Sequence, residues 1–210
     1  MATRRPHIVI AGTGRAGTTF LVELLTHLGL DTGFTPQELG TLKDPTARAG
    51  LEHVEGPDAW PWIVKDPNFY SYAPAVFARE DLVVERVIIP QRDLQEAAES
   101  RRRVQRERLQ SLPWWRRLQY RLRPYELAGG LVGTTSLQPG LQEAILEKQL
   151  DTLLHHCEAA QVPITQLQFP RLVQEPDYLY QQLAPILGEI SFVDFNATFA
   201  RVAKPEWVHP

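Results

Sequence analysis

One run constrains this chain more than any other: Gly12-Thr13-Gly14-Arg15-Ala16-Gly17-Thr18-Thr19, set between a β-branched segment and an amphipathic one. Upstream, residues 7–11 read as a strand that enters the glycines directly. Downstream, Leu21, Leu24, Leu25 and Leu28 recur at three- and four-residue spacing and predict a helix that stops near Gly29. Strand, glycine turn and helix in that order make an anion site. The helix start offers unpaired N–H groups and the positive end of its dipole. Glycines let the backbone take positive φ and approach an anion closely. Thr18 and Thr19 add hydroxyl donors, and Arg15 adds a permanent forked cation.

The rest of the chain alternates in the same way. Residues 62–65, 83–90 and 164–169 read as strands, and 93–110, 146–157 and 178–187 as helices, while 189–210 show no clear pattern. This predicts an α/β fold with a central parallel sheet flanked by helices, in one domain over 1–210. Residues 111–135 stand apart, with aromatics among arginines and then Gly129, Gly130 and Gly133. They read as an inserted arm, a lid or a helical hairpin.

Bulk composition narrows the function. The net charge of −3 lacks the basic excess of a nucleic-acid binder. The single cysteine, Cys157, allows no intrachain disulfide and fits a reducing compartment. After Arg4 and Arg5 the apolar run is too short for an export signal. No stretch approaches about 18 apolar residues, so no membrane span is expected. A cytoplasmic protein is the expectation. His155-His156-Cys157 holds metal-ligand types, but neighbours on a helix point in different directions, so no metal site is expected.

Three kinds of loop compete for residues 12–19. Residues 12–17 match the dinucleotide fingerprint G-x-G-x-x-G, and Asp31 lies at the distance of a ribose-binding acid, though no clear strand precedes it. Residues 12–19 match the nucleotide-hydrolysing P-loop except that Thr18 replaces its lysine, which weakens a kinase reading. In the third pattern a basic residue, a small residue and glycine precede two hydroxyl residues, as in Arg15-Ala16-Gly17-Thr18-Thr19. A second feature helps to choose. Arg92 follows the strand at 83–90, and Ser100 lies eight residues later, about two helical turns along and nearly on the same face. An arginine and a hydroxyl so placed can grip one phosphate from two sides.

With these two anchors in this order, the chain resembles the sulfotransferases that use 3′-phosphoadenosine 5′-phosphosulfate (PAPS), in their small bacterial single-domain form. Ile63-Val64-Lys65-Asp66-Pro67 resembles a strand end of bacterial and carbohydrate-type members, although it also reads as a plain strand-to-turn exit. Phe169-Pro170-Arg171-Leu172 followed by Asp177-Tyr178-Leu179 resembles a later segment of the same superfamily. The resemblance covers most of residues 7–188, and only the two phosphate anchors are specific.

The resemblance implies a P-loop NTPase-like sulfotransferase fold and transfer of a sulfuryl group from PAPS to a hydroxyl or amine, leaving 3′-phosphoadenosine 5′-phosphate (PAP), with no metal required. Gly14, Arg15, Ala16, Gly17, Thr18 and Thr19 would hold the 5′ end, and Arg92 and Ser100 the 3′-phosphate. Arg15 is the first candidate to stabilise the leaving group and Lys65 the second. Glu38, in Thr35-Pro36-Gln37-Glu38, resembles the proposed base of some bacterial glycolipid sulfotransferases, with His53 and Glu55 as rivals. The C-terminal Lys-Gly-x-x-Gly-Asp-type loop of cytosolic members is missing, so residues 111–135 or the tail around Lys204 and Trp207 would have to cover the nucleotide.

The acceptor stays open among small molecules, lipids and glycans. An ATP-dependent kinase and a non-catalytic nucleotide-binding protein are the alternatives. Residues 101–124 hold nine arginines against one acid, Glu107. They read as a solvated helix face, a phosphate clamp, an acceptor rim, a peripheral contact with anionic lipid, or a homodimer contact. Trp114 and Trp115 make the plain solvated face the poorer fit.

Overall fold

The computed structural model describes residues 4–44, 49–53, 55–127, 129–132 and 140–204. Strand β1 (Arg5–Ile10) leads into the glycine loop and helix α1 (Thr18–His27). A short helix α2 (Leu39–Leu42) precedes a hairpin of β2 (Lys43–Asp44) and β3 (Ala49–Gly50). Then come β4 (Ile63–Lys65), α3 (Ala73–Phe77), β5 (Leu82–Gln91) and α4 (Leu94–Ser111). Helices α5 (Trp114–Leu122) and α6 (Leu141–Ala159) follow, and β6 (Ile164–Gln168) completes the sheet. Helices α7 (Arg171–Gln174), α8 (Pro176–Leu187) and α9 (Phe192–Val202) end the described chain.

The central sheet has the order β4-β1-β5-β6 and is parallel throughout. Residues 7–11 are buried without interruption because helices cover both faces, which is why they read as an unbroken apolar run. Ile8 and Ile10 face the layer of α1, α8 and α9, whereas Val9 and Ala11 face α3 and α6. Strand β5 records the same transition along its length. Leu82 to Glu85 alternate between buried and exposed, and Val87 to Pro90 are all buried. The α/β class, the parallel sheet and its flanking helices are as the sequence predicts.

This topology sets where a ligand can bind. Strand β1 has β4 on one side and β5 on the other. Chain segments leaving their C-terminal ends pass to opposite faces and leave a crevice there. The glycine loop, Lys65 and Arg92 all stand at those ends. Besides the short helices α2, α3 and α7, two longer helices are not placed by the sequence expectations. One is α9, over a stretch without a clear pattern. The other is α5, within 111–135, where a helical hairpin is one of three readings and no helix bounds are predicted; residues 128 and 133–135 lie outside the described residues.

Candidate functional site

The loop after β1 is shaped by positive φ angles. Gly17, at φ +90°, begins α1, and no side chain among the described residues caps that helix. Its first N–H groups are therefore available to an anion. A Cβ on Gly17 would come 2.8 Å from Leu172 Cδ1, so a side chain there would have to displace Leu172 as well as adopt a positive φ. Arg15 takes φ +61°, a conformation that costs a non-glycine residue about 1 kcal/mol or more. Such strain in a loop facing a crevice points to function. Arg15 Nε donates to Ser100 Oγ at 3.2 Å, which ties the loop to α4 across the sheet.

Behind the loop lies a cation that sequence reasoning did not single out. Arg101 is 7% exposed; Nη1 donates to the Gly130 carbonyl at 2.9 Å and Nη2 to the Thr13 carbonyl. Its Nε is buried with no hydrogen-bond partner among the described residues. Burial brings its pKa down to about 10, and the nearby Arg15 adds to the effect. Arg101 thus stays charged at neutral pH inside the wall of the loop.

Lys65 comes from β4, where it pairs in register with Ile10. It is 2% exposed, and Nζ donates to Thr19 Oγ1 at 2.9 Å, to the Gly50 carbonyl, and to Glu52 Oε1 at 2.9 Å. Burial depresses its pKa; the Glu52 carboxylate opposes that and Arg15 reinforces it. The next residue has a different role. Asp66 accepts from the Asn68 N–H at 2.7 Å and from the Tyr72 hydroxyl, so it closes the turn out of the strand. Lys65 enters the cleft, and Asp66 holds the backbone behind it.

Arg92 stands just beyond β5 with its side chain 6% exposed. Nε donates to Glu96 Oε2 at 2.9 Å, and the guanidinium lies over the Phe169 ring, 4.7 Å from its centre. Ser100 is buried on α4. Arg15, Thr18, Thr19, Lys65, Arg92 and Ser100 all line one cleft of about 910 Å³. Arg101, Arg103, Arg108 and Lys204 also line it, against the acids Glu23, Asp44 and Glu52. The cleft is therefore cationic in a molecule whose net charge is −3. The β2–β3 hairpin forms part of its wall and is tied to α4 by an ion pair between Arg108 and Asp44.

The predicted bases fall elsewhere. Glu38 is exposed, and Oε2 accepts from the Thr35 N–H at 2.8 Å and from the Thr35 hydroxyl at 2.7 Å, which closes the turn before α2. These bonds lower its pKa, and it is not among the residues lining the cleft. His53 receives the Lys65 N–H on Nδ1 at 2.9 Å, so Nε2 carries the proton that it donates to the Thr32 carbonyl at 2.9 Å. Both ring nitrogens are thus engaged, Nδ1 by the Lys65 backbone and Nε2 by the Thr32 carbonyl. Glu55 is exposed and away from the lining. The carboxylate that sequence reasoning missed is Glu52, whose signal was only its place next to His53.

Of the two segments expected to cover the site, 111–135 contributes Gly129 and Val132 to the wall. Lys204 lines the cleft too, and Trp207 lies outside the described residues. Comparison with protein-family models finds none that matches the chain, and comparison with curated proteins finds none similar to it.

Proposed function

We propose that this chain is a PAPS-dependent sulfotransferase with the P-loop-type sulfotransferase fold, acting on a hydroxyl or amine acceptor. The observation that carries the reading is the hydrogen bond from Arg15 to Ser100. It joins the loop after β1 to the helix after β5, so two anion anchors read separately in the sequence face a single cleft. The donor fits this lining: it carries phosphates on both the 3′ and 5′ oxygens of its ribose, and cations outnumber acids there. The cleft volume also lies within the usual range for ligands of that size.

Bound PAPS would supply the sulfuryl group by in-line displacement, the sulfur–oxygen bond to its 5′-phosphate breaking and the electron pair staying with that phosphate. The chain's part is positioning and charge. N–H groups at the start of α1, with the Thr18 and Thr19 hydroxyls, hold the 5′-phosphate oxygens. Arg15 and Lys65 face the charge that grows on the departing oxygen. Arg92 and Ser100 hold the 3′-phosphate. An anion at the helix start competes with Glu52 for Lys65, and the freed Glu52 carboxylate accepts the proton of the acceptor as its oxygen or nitrogen bonds to sulfur. Glu38 is the alternative base, and it would first have to leave Thr35.

Calorimetry with PAP, 3′-AMP, ATP and NAD tests the reading. PAP should bind in the micromolar range, and Arg92→Ala should weaken it by about tenfold or more, as expected for a lost charged hydrogen bond. Lys65 brings an ammonium to Thr19 in a loop that lacks its own lysine, which favours a kinase as the second reading. Tight ATP·Mg binding without a response to PAP would decide for it. Glu52→Gln should leave PAP affinity near normal and abolish sulfated product. If Glu38→Gln does so instead, the base is Glu38.

A further inference from the structure

Helix α5 presents its apolar face to solvent. Trp114 is 72% exposed, Trp115 50%, Leu118 50% and Leu122 75%. At 3.6 residues per turn these four fall within about 100° of arc, one continuous stripe. The opposite side faces the protein, where the Tyr120 hydroxyl accepts from Gln105 Nε2 at 2.7 Å. Gln105 is fully buried on α4, and its Oε1 accepts the Leu131 N–H at 3.3 Å. Leu131 lies between residues of the cleft wall, so α5 is fastened to the wall of the cleft and its stripe points outward.

Charge says what covers the stripe. Four of the five arginines of α4 are engaged within the molecule, Arg101 in the loop wall, Arg102 with Glu143, Arg106 with Glu99 and Arg108 with Asp44, and the fifth, Arg103, lines the cleft. Those of α5 and its exit, Arg116, Arg117, Arg121 and Arg123, are exposed and form no ion pair among the described residues. No acidic residue occurs from 108 to 125. A second copy pairing through this face would set the same arginines against each other across a two-fold axis. An anionic bilayer suits both parts. Indoles and leucines sink into the headgroup boundary while arginines meet lipid phosphates. At nine residues, about 13 Å, α5 can lie on a membrane and cannot span it.

We propose that α5 is an interfacial anchor that seats the protein on an anionic lipid surface, with the cleft held close to the headgroups. The inference is independent of the reaction assigned to the cleft.

Co-sedimentation of the full chain with phosphatidylcholine vesicles, and with phosphatidylcholine–phosphatidylglycerol vesicles, tests it. Wild type should pellet with the anionic vesicles and not with the neutral ones, and added salt should release it. Two triple variants, Trp114→Ser/Trp115→Ser/Leu118→Ser and Arg116→Gln/Arg117→Gln/Arg121→Gln, alter exposed side chains only. Each should lose more than about tenfold in partitioning while keeping the wild-type circular dichroism. Failure of wild type to pellet, or equal pelleting of wild type and both variants, would overturn the proposal. So would a vesicle-free dimer that the tryptophan variant abolishes.

Discussion

Lys65 keeps an ammonium almost wholly out of water, and its depressed pKa means it loses charge below the ordinary lysine value of 10.5. Affinity for PAP should therefore fall with rising pH before an ordinary lysine would titrate. Lys65→Arg should bind with a flat profile over that range, because guanidinium stays charged; calorimetry of both proteins checks this, and parallel profiles would refute it. His7 makes an opposite use of burial. Nδ1 lies 2.7 Å from the Pro61 carbonyl, while Nε2 is buried without a partner among the described residues and beside Trp60. Burial lowers its pKa from 6.5. The unfolded chain then takes up the proton first, so stability is lost as pH falls below 6.5. Urea midpoints should drop across that window, and His7→Gln should flatten the trend.

Residue roles were unevenly legible. Arg15, Thr19, Arg92 and Ser100 stand at fixed offsets from a strand end, and such offsets survive in a linear string. Arg101 looked like one arginine of a charged run because its burial depends on Thr13 and Gly130, both far along the chain. Glu52 is hidden for the same reason: it stands in the loop after β3, and its meaning comes from Lys65 on β4.

Among the elements, the turn from β1 into α1 is the least tolerant of change. Gly17→Ala must place a Cβ against Leu172 in a left-handed conformation. It should cost about 2 kcal/mol or more in chemical denaturation and weaken PAP binding as well. An unchanged midpoint would show that α7 yields easily. Helix α9 shows why pattern reading stopped short. Ser191 caps it by accepting the Asp194 N–H at 3.2 Å, and Phe195, Phe199 and Val202 face the core at helical spacing. Cap and stripe are both present in the sequence, but the stripe has only three buried members over eleven residues, too few to stand out as a period. Strand 82–91 is easier, because burial on both faces of its second half leaves a dense apolar run. Strand 164–168 shows the alternation of an edge strand, with Thr165 and Leu167 buried and Gln166 and Gln168 exposed.

Across the whole molecule, net charge misled about local field: a chain at −3 encloses a cationic cleft because many acids lie elsewhere on its surface. Cys157 reports on integrity at this scale. It is buried between the sheet and α3, with its thiol pushed up to about 11. A thiol reagent should label it only at the rate of global unfolding, and PAP should slow that labelling; fast labelling of the native protein would mean that α6 opens on its own.

The hydrogen bond between Arg15 and Ser100 also carries a lesson about time. Its partners are 85 positions apart, and Thr19 and Lys65 are 46 apart. A ribosome releases the glycine loop long before the residues that give it charge and shape. The nascent loop is a bare anion cradle, and competence arrives only once β5 and α4 have emerged and docked.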